Sequence, residues 1–165
     1  IASNEVVRLE REARIGRIQE KMEATPNTME ARQTTIRYAE EQLVSEGVEV
    51  GASKYDPTME GKFGSTNTTT GEITIDDAVF YEGDESGMRL AETLVHENVH
   101  RRDAFAWGLR QWTIDDQARS EMKAYSRAHS FTREYGARVE LQQANADIAD
   151  NARRWLAGEP VTPKW

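Results

Sequence analysis

Two histidines and a glutamate within residues 96–100 have a spacing that could hold a catalytic metal. His96 and His100 lie four positions apart in a segment with helical periodicity, so both imidazoles would lie on one helix face, about one turn apart. Two such nitrogens can bind one zinc ion. Glu97 could take a proton from a zinc-bound water without binding the metal itself. The pattern indicates a zinc-dependent hydrolase with Glu97 as general base.

A zinc site of this kind needs a third protein ligand, and the segment after the histidines offers several. Glu121 lies early in the next predicted helix, and Tyr125 and His129 continue the same face at steps of four. If that helix packs antiparallel on the first, the Glu121 carboxylate can reach the metal. We therefore favour Glu121 as the third ligand. His129, Asp116 and Glu134 are the alternatives.

Two further residues could assist this chemistry. The hydroxyl of Tyr125 could donate a hydrogen bond to the oxyanion that develops during hydrolysis, which makes Tyr125 a candidate catalytic residue. A tyrosine that only packs in the core is the alternative. Asp103 follows His100 by three positions and could orient a ligand imidazole through its second nitrogen.

The motif His96-Glu97-x-x-His100, followed by Glu121 on a later helix, resembles the gluzincin branch of the HExxH zinc metallopeptidases. The resemblance covers two helices, about a quarter of the chain. It departs from the family at Ser120, where many gluzincins carry Asn. The resemblance implies a zincin-like fold, Zn²⁺ as cofactor and a peptide or protein as substrate. It also implies an edge strand that pairs with extended substrate, and residues 72–76 stand at that place in the chain.

Short HExxH domains with an Ala-Tyr pair after the third ligand, here Ala124-Tyr125, also resemble toxin or effector domains of bacterial secretion systems. That resemblance would imply a domain of a larger chain, secreted or delivered into a target cell, with a cognate inhibitor or immunity protein as partner. Two other functions stay open. One is a zinc amidase that acts on a cell-wall crosslink, and the other is a non-catalytic helical interaction module.

Composition limits the remaining function classes. The chain has 165 residues, a formal net charge of −8 and no cysteine, so any metal site must use His, Asp and Glu. The length suits one domain. We expect no nucleic-acid partner, because no basic stripe offsets the acidic excess. We expect no membrane span, because no apolar run approaches about 18 residues.

Hydrophobic periodicity and turn residues predict a mostly helical α+β fold, a single zincin-like domain. Its predicted parts are N-terminal helices in 1–46, a small sheet in 48–82, the active-site helix in 86–107 and C-terminal helices in 114–157. Within the sheet region, residues 61–67 and 72–76 are predicted to pair as a β-hairpin, and residues 48–50 alternate like a short strand.

Overall fold

The computed structural model describes residues 3–58 and 61–165, and most of them are helical. In this part of the chain the helices are α1 (Asn4–Glu23), α2 (Met29–Ser45), α3 (Ser86–Ala106), α4 (Ile114–Glu134) and α5 (Val139–Leu156). The strands are β1 (Lys54–Asp56), β2 (Gly64–Thr66) and β3 (Ile73–Asp76). The prediction of a mostly helical α+β fold with a small sheet before α3 is confirmed.

The sheet has the order β1-β3-β2, in which β1 pairs parallel and β2 antiparallel with β3. The antiparallel pair is the predicted hairpin, with shorter strands. The prediction of a strand at residues 48–50 is wrong. The Val48 amide donates to the Leu43 carbonyl oxygen, 3.0 Å away, so this backbone closes the end of α2 instead of joining a sheet. The strand that pairs with β3 on that side is β1.

The sheet order also corrects the position of the edge strand. Residues 72–76 were expected to form it, but β3 is the central strand, with a hydrogen-bonded neighbour on each side. The strand at the sheet edge nearest α3 is β2, because Gly64 approaches the side chains of Thr93 and Glu97 on α3.

Helix α3 lies at the centre of the molecule and packs against α1, α2, the sheet and α4. Leu90 and Leu94 on this helix are fully buried, which fits the apolar periodicity around the two histidines. Other fully buried core side chains come from every layer around it: Ile18, Ile36, Leu43, Ile73, Ile75, Val79 and Phe131. This packing holds the helix that carries His96 and His100 in a fixed orientation.

The start and the packing face of α4 follow from its sequence. Thr113 and Asp116 form a reciprocal capping box, which fixes the first turn of the helix. Ser120, Ala124 and Ala128 lie at steps of four and are fully buried. Small side chains on one face let two helix backbones approach closely. Glu121 lies next to this face, so the close packing of α4 brings its carboxylate toward α3.

Among residues 3–58 and 61–165, no helix combines the length and the hydropathy that crossing a membrane requires.

Candidate metal centre

Three side chains from α3 and α4 converge on one point. The Nε2 atoms of His96 and His100 are 3.0 Å apart, and Nε2 of His96 is 3.4 Å from Oε1 of Glu121. The Glu121 oxygen also contacts Nε2 of His100 directly. One ligand atom from each residue lies within 4.8 Å of the others. The three residues that the sequence predicted as metal ligands are therefore brought together.

The distances suit a small tetrahedral metal ion. Ligands that each lie 2.0–2.1 Å from zinc in tetrahedral geometry are about 3.3 Å from one another. The His96–His100 and His96–Glu121 separations, 3.0 and 3.4 Å, are close to this value, whereas His100 and Glu121 lie closer together than that. The set of two imidazoles and one carboxylate is also a common protein ligand set for catalytic zinc. The donor set and two of its three separations therefore fit Zn²⁺.

The charge around this cluster also favours a cation. Glu97 is 6% exposed and the Glu121 side chain is 13% exposed, so both carboxylates are largely removed from water. Among the described residues, neither forms an ion pair with Lys or Arg; the only basic partners of Glu121 are the two histidines. Buried carboxylates need a compensating positive charge. A divalent cation at the convergence point would supply it.

The second nitrogen of His100 is also engaged. Its Nδ1 atom lies 2.7 Å from Oγ of Ser120, and that hydroxyl donates to Oδ2 of Asp103 at 2.8 Å. The other Asp103 oxygen, Oδ1, accepts from Nζ of Lys123 at 2.6 Å. Asp103 therefore reaches the imidazole through Ser120, not directly as the sequence suggested.

Strand β2 positions the candidate base. The Thr66 hydroxyl donates to Oε2 of Glu97 at 2.9 Å and also lies 3.1 Å from the Glu97 carbonyl oxygen. Gly64 permits this approach, because a Cβ atom there would lie 2.7 Å from Cγ2 of Thr93 and 3.3 Å from Cγ of Glu97. The glycine thus lets the strand lie directly against α3. Glu97 is held by a contact that does not involve the three candidate ligands.

Tyr125 packs against the first histidine of the motif. The Tyr125 and His96 rings have centroids 4.4 Å apart and meet edge to face, and the phenol lies one turn after Glu121 on α4. Burial raises the pKa of the Tyr125 hydroxyl, so the hydroxyl stays protonated at neutral pH and can donate a hydrogen bond. On the other side of the site, Trp112 lies edge to face with His100, with centroids 5.8 Å apart.

The His100–Glu121 contact perturbs both groups in the directions expected for opposite charges. Burial lowers the pKa of His100, but the contact with Glu121 and the negative charges of Glu121, Glu97 and Asp103 together outweigh it, so the net shift is upward. Burial raises the pKa of Glu121, but the adjacent His100 and His96 imidazoles outweigh it and hold that pKa well below its usual range. Both shifts mean that the carboxylate of Glu121 is stabilised by positive charge on the neighbouring imidazoles.

The alternative third ligands are engaged elsewhere. Nδ1 of His129 lies 2.9 Å from the carbonyl oxygen of Gln142 on α5. The Asp116 carboxylate accepts from the Thr113 amide and from Arg110, which holds its pKa well below the usual range. Glu134 is exposed at the end of α4. None of the three belongs to the convergent cluster.

Sequence reasoning did not anticipate two residues of the site, Thr66 and Ser120. A signal for Ser120 was present, since it shares the buried small-residue face of α4 with Ala124 and Ala128. Thr66 carries no such signal, because it is one of several threonines around a predicted turn.

No protein-family model, no curated protein and no solved structure matches this chain.

Proposed function

We propose that this chain is a zinc-dependent hydrolase, and specifically a zincin-like metallopeptidase that binds Zn²⁺ through His96, His100 and Glu121. One observation carries the proposal. Three metal-binding atoms from two helices converge within 4.8 Å, beside a buried glutamate held separately from them. A zinc ion bound there would act as a Lewis acid and activate water near neutral pH.

Glu97 is the group that moves the proton in this proposal. Thr66 donates to Oε2, which fixes the carboxylate and leaves Oε1 to take a proton from the attacking water. The same carboxyl group then returns the proton to the leaving nitrogen of the peptide bond. Tyr125, protonated at neutral pH, donates a hydrogen bond to the carbonyl oxygen as negative charge develops on it.

A peptide is the substrate class that the surroundings of Glu97 favour. Strand β2 runs along α3: Phe63, just before it, lies under Arg89, and Thr66 at its end reaches Glu97. In the strand order β1-β3-β2, β2 is an outer strand of the sheet and lies beside α3. An extended peptide that lies along this strand and α3 would pass the candidate base.

The test combines metal content with one isosteric variant. Purified protein is analysed for zinc, and a mixed peptide library is incubated with it and its products are identified by mass spectrometry. We expect one zinc ion per chain. Glu97→Gln should retain the zinc but lose at least about 100-fold in kcat/KM, because the amide can accept the Thr66 hydrogen bond but cannot take a proton. Glu134→Gln, an exposed glutamate on α4, is the matched control and should match the parent.

Two results would contradict the proposal. Purified protein without stoichiometric zinc, which also fails to bind added zinc, would remove the metal site. Full activity in Glu97→Gln would show that another group is the base. A cross-linked cell-wall peptide fragment is assayed in parallel, and its cleavage without any cleavage of linear peptides would identify an amidase instead of a peptidase.

A further inference from the structure

A buried hydrogen-bonded chain leads away from the candidate metal centre through His100. It passes from Nδ1 of His100 to the Ser120 hydroxyl, then to the Asp103 carboxylate and finally to the Lys123 ammonium, in steps of 2.7, 2.8 and 2.6 Å. Ser120 is fully buried, and Asp103 is 5% exposed. Only the lysine end of this chain reaches solvent.

The direction of the hydrogen bonds follows from the groups involved. The Asp103 carboxylate offers only acceptors: Oδ1 accepts from the Lys123 ammonium, and Oδ2 faces the Ser120 hydroxyl. The Ser120 hydroxyl therefore gives its single hydrogen to Asp103. Its oxygen can then only accept from His100, so Nδ1 of that imidazole carries a hydrogen. In the neutral ring, Nε2 is left with the lone pair that faces His96 and Glu121.

From this geometry we propose that Ser120 is a positioning residue for metal binding. It selects the tautomer of His100 whose Nε2 can bind the metal, and it fixes the plane of the ring. Asp103 acts through Ser120, and Lys123 compensates the buried carboxylate. Hydrogen bonds to the second nitrogen of a metal-binding histidine commonly change metal affinity by 10- to 100-fold. The inference rests on the proposed metal site and identifies residues that tune it.

The first experiment compares zinc affinity in single variants of the full chain. Ser120→Ala should raise the zinc dissociation constant about 10- to 100-fold. Ser120→Thr, which keeps the hydroxyl, should retain most of the affinity. Ser126→Ala, an exposed serine on the same helix, is the control and should bind zinc like the parent. Circular dichroism of each variant without metal shows whether its fold is intact.

Co²⁺ provides a readout that a loss of general stability would not change. Its visible absorption depends on the orientation and basicity of the ligands, so the Co²⁺ spectrum of Ser120→Ala should differ from that of the parent at saturating metal. The spectra of Ser120→Thr and Ser126→Ala should not. An unchanged spectrum together with unchanged zinc affinity in Ser120→Ala would overturn the proposal.

A double-mutant cycle tests whether Asp103 acts through the serine. Asp103→Ala alone should weaken zinc binding, but adding it to Ser120→Ala should weaken binding little further, since both remove the same support. Additive losses would contradict the serial arrangement. If the parent binds no zinc, the proposed function itself fails. If the parent binds zinc and Ser120→Ala matches it in both zinc affinity and Co²⁺ spectrum, only the positioning role fails.

Discussion

Tyr125 lies beside the three candidate ligands but is not one of them, so its hydroxyl could affect the proposed reaction without affecting the proposed zinc binding. Its ring lies edge to face against His96, and it belongs to the same helix as Glu121. We expect Tyr125→Phe to keep the packing and the zinc content but to lower kcat about 100-fold, because one donor to the developing negative charge is lost. Steady-state kinetics with a cleaved library peptide measures this, and Tyr38→Phe on α2 is the control. If Tyr125→Phe has the same kcat as the parent, Tyr125 contributes only packing.

The residues of the candidate site differ in how far the amino-acid sequence alone predicts their placement. His96, Glu97 and His100 are within one helical turn, so their relative placement follows from helix geometry. Glu121 required one added assumption, the packing of α4 on α3. The contacts of Thr66 and Ser120 join residues 31 and 20 positions apart, and only the three-dimensional packing of separate elements creates them.

At the level of elements, the approach of β2 to α3 depends on the missing side chain of Gly64. We expect Gly64→Ala to lower the free energy of unfolding by about 1–3 kcal/mol, since the new methyl group would overlap Thr93 and press on the Thr74 carbonyl oxygen. Gly16→Ala is the matched control at an exposed position of α1, where a Cβ meets nothing within 4 Å. It should raise the same free energy by about 0.5–1 kcal/mol. Urea unfolding followed by circular dichroism measures both changes.

If Gly64→Ala and the parent have the same free energy of unfolding, the extra methyl group fits between β2 and α3, and the two elements are not in close contact at residue 64. The variant should also weaken the Thr66–Glu97 hydrogen bond, because that contact depends on the same approach. A loss of peptide cleavage in Gly64→Ala with unchanged zinc content would connect the position of the strand to the base.

Helices were more predictable from this sequence than strands, for a physical reason. Caps such as the Thr113–Asp116 box are local, so the sequence contains them directly. Strand β1 is three residues long, and its pairing with β3 joins residues 20 positions apart in parallel register. Residues 48–50 have the alternation of a strand, but the hydrogen bond from Val48 to Leu43 takes its backbone into the end of α2.

For the whole molecule, the proposed metal would act as a crosslink. His96 and His100 belong to α3, which packs against α1, α2 and the sheet, whereas Glu121 belongs to α4, which packs extensively on α5. A ligand that binds only the folded state stabilises it by an amount set by its concentration relative to the dissociation constant. Zinc bound to ligands from both helices should therefore raise the unfolding temperature of the entire chain.

Zinc binding should raise the unfolding temperature by several degrees. At a free zinc concentration 100 times the dissociation constant, stabilisation is about 2.7 kcal/mol. For a chain of this length, that corresponds to a rise in Tm of about 5–10 °C. Differential scanning calorimetry at several zinc concentrations measures the shift. His96→Ala and Glu121→Ala should show little of it, and Mg²⁺ should not reproduce it, since it prefers octahedral oxygen ligands. An equal zinc-dependent shift in His96→Ala would place the bound zinc elsewhere on the molecule.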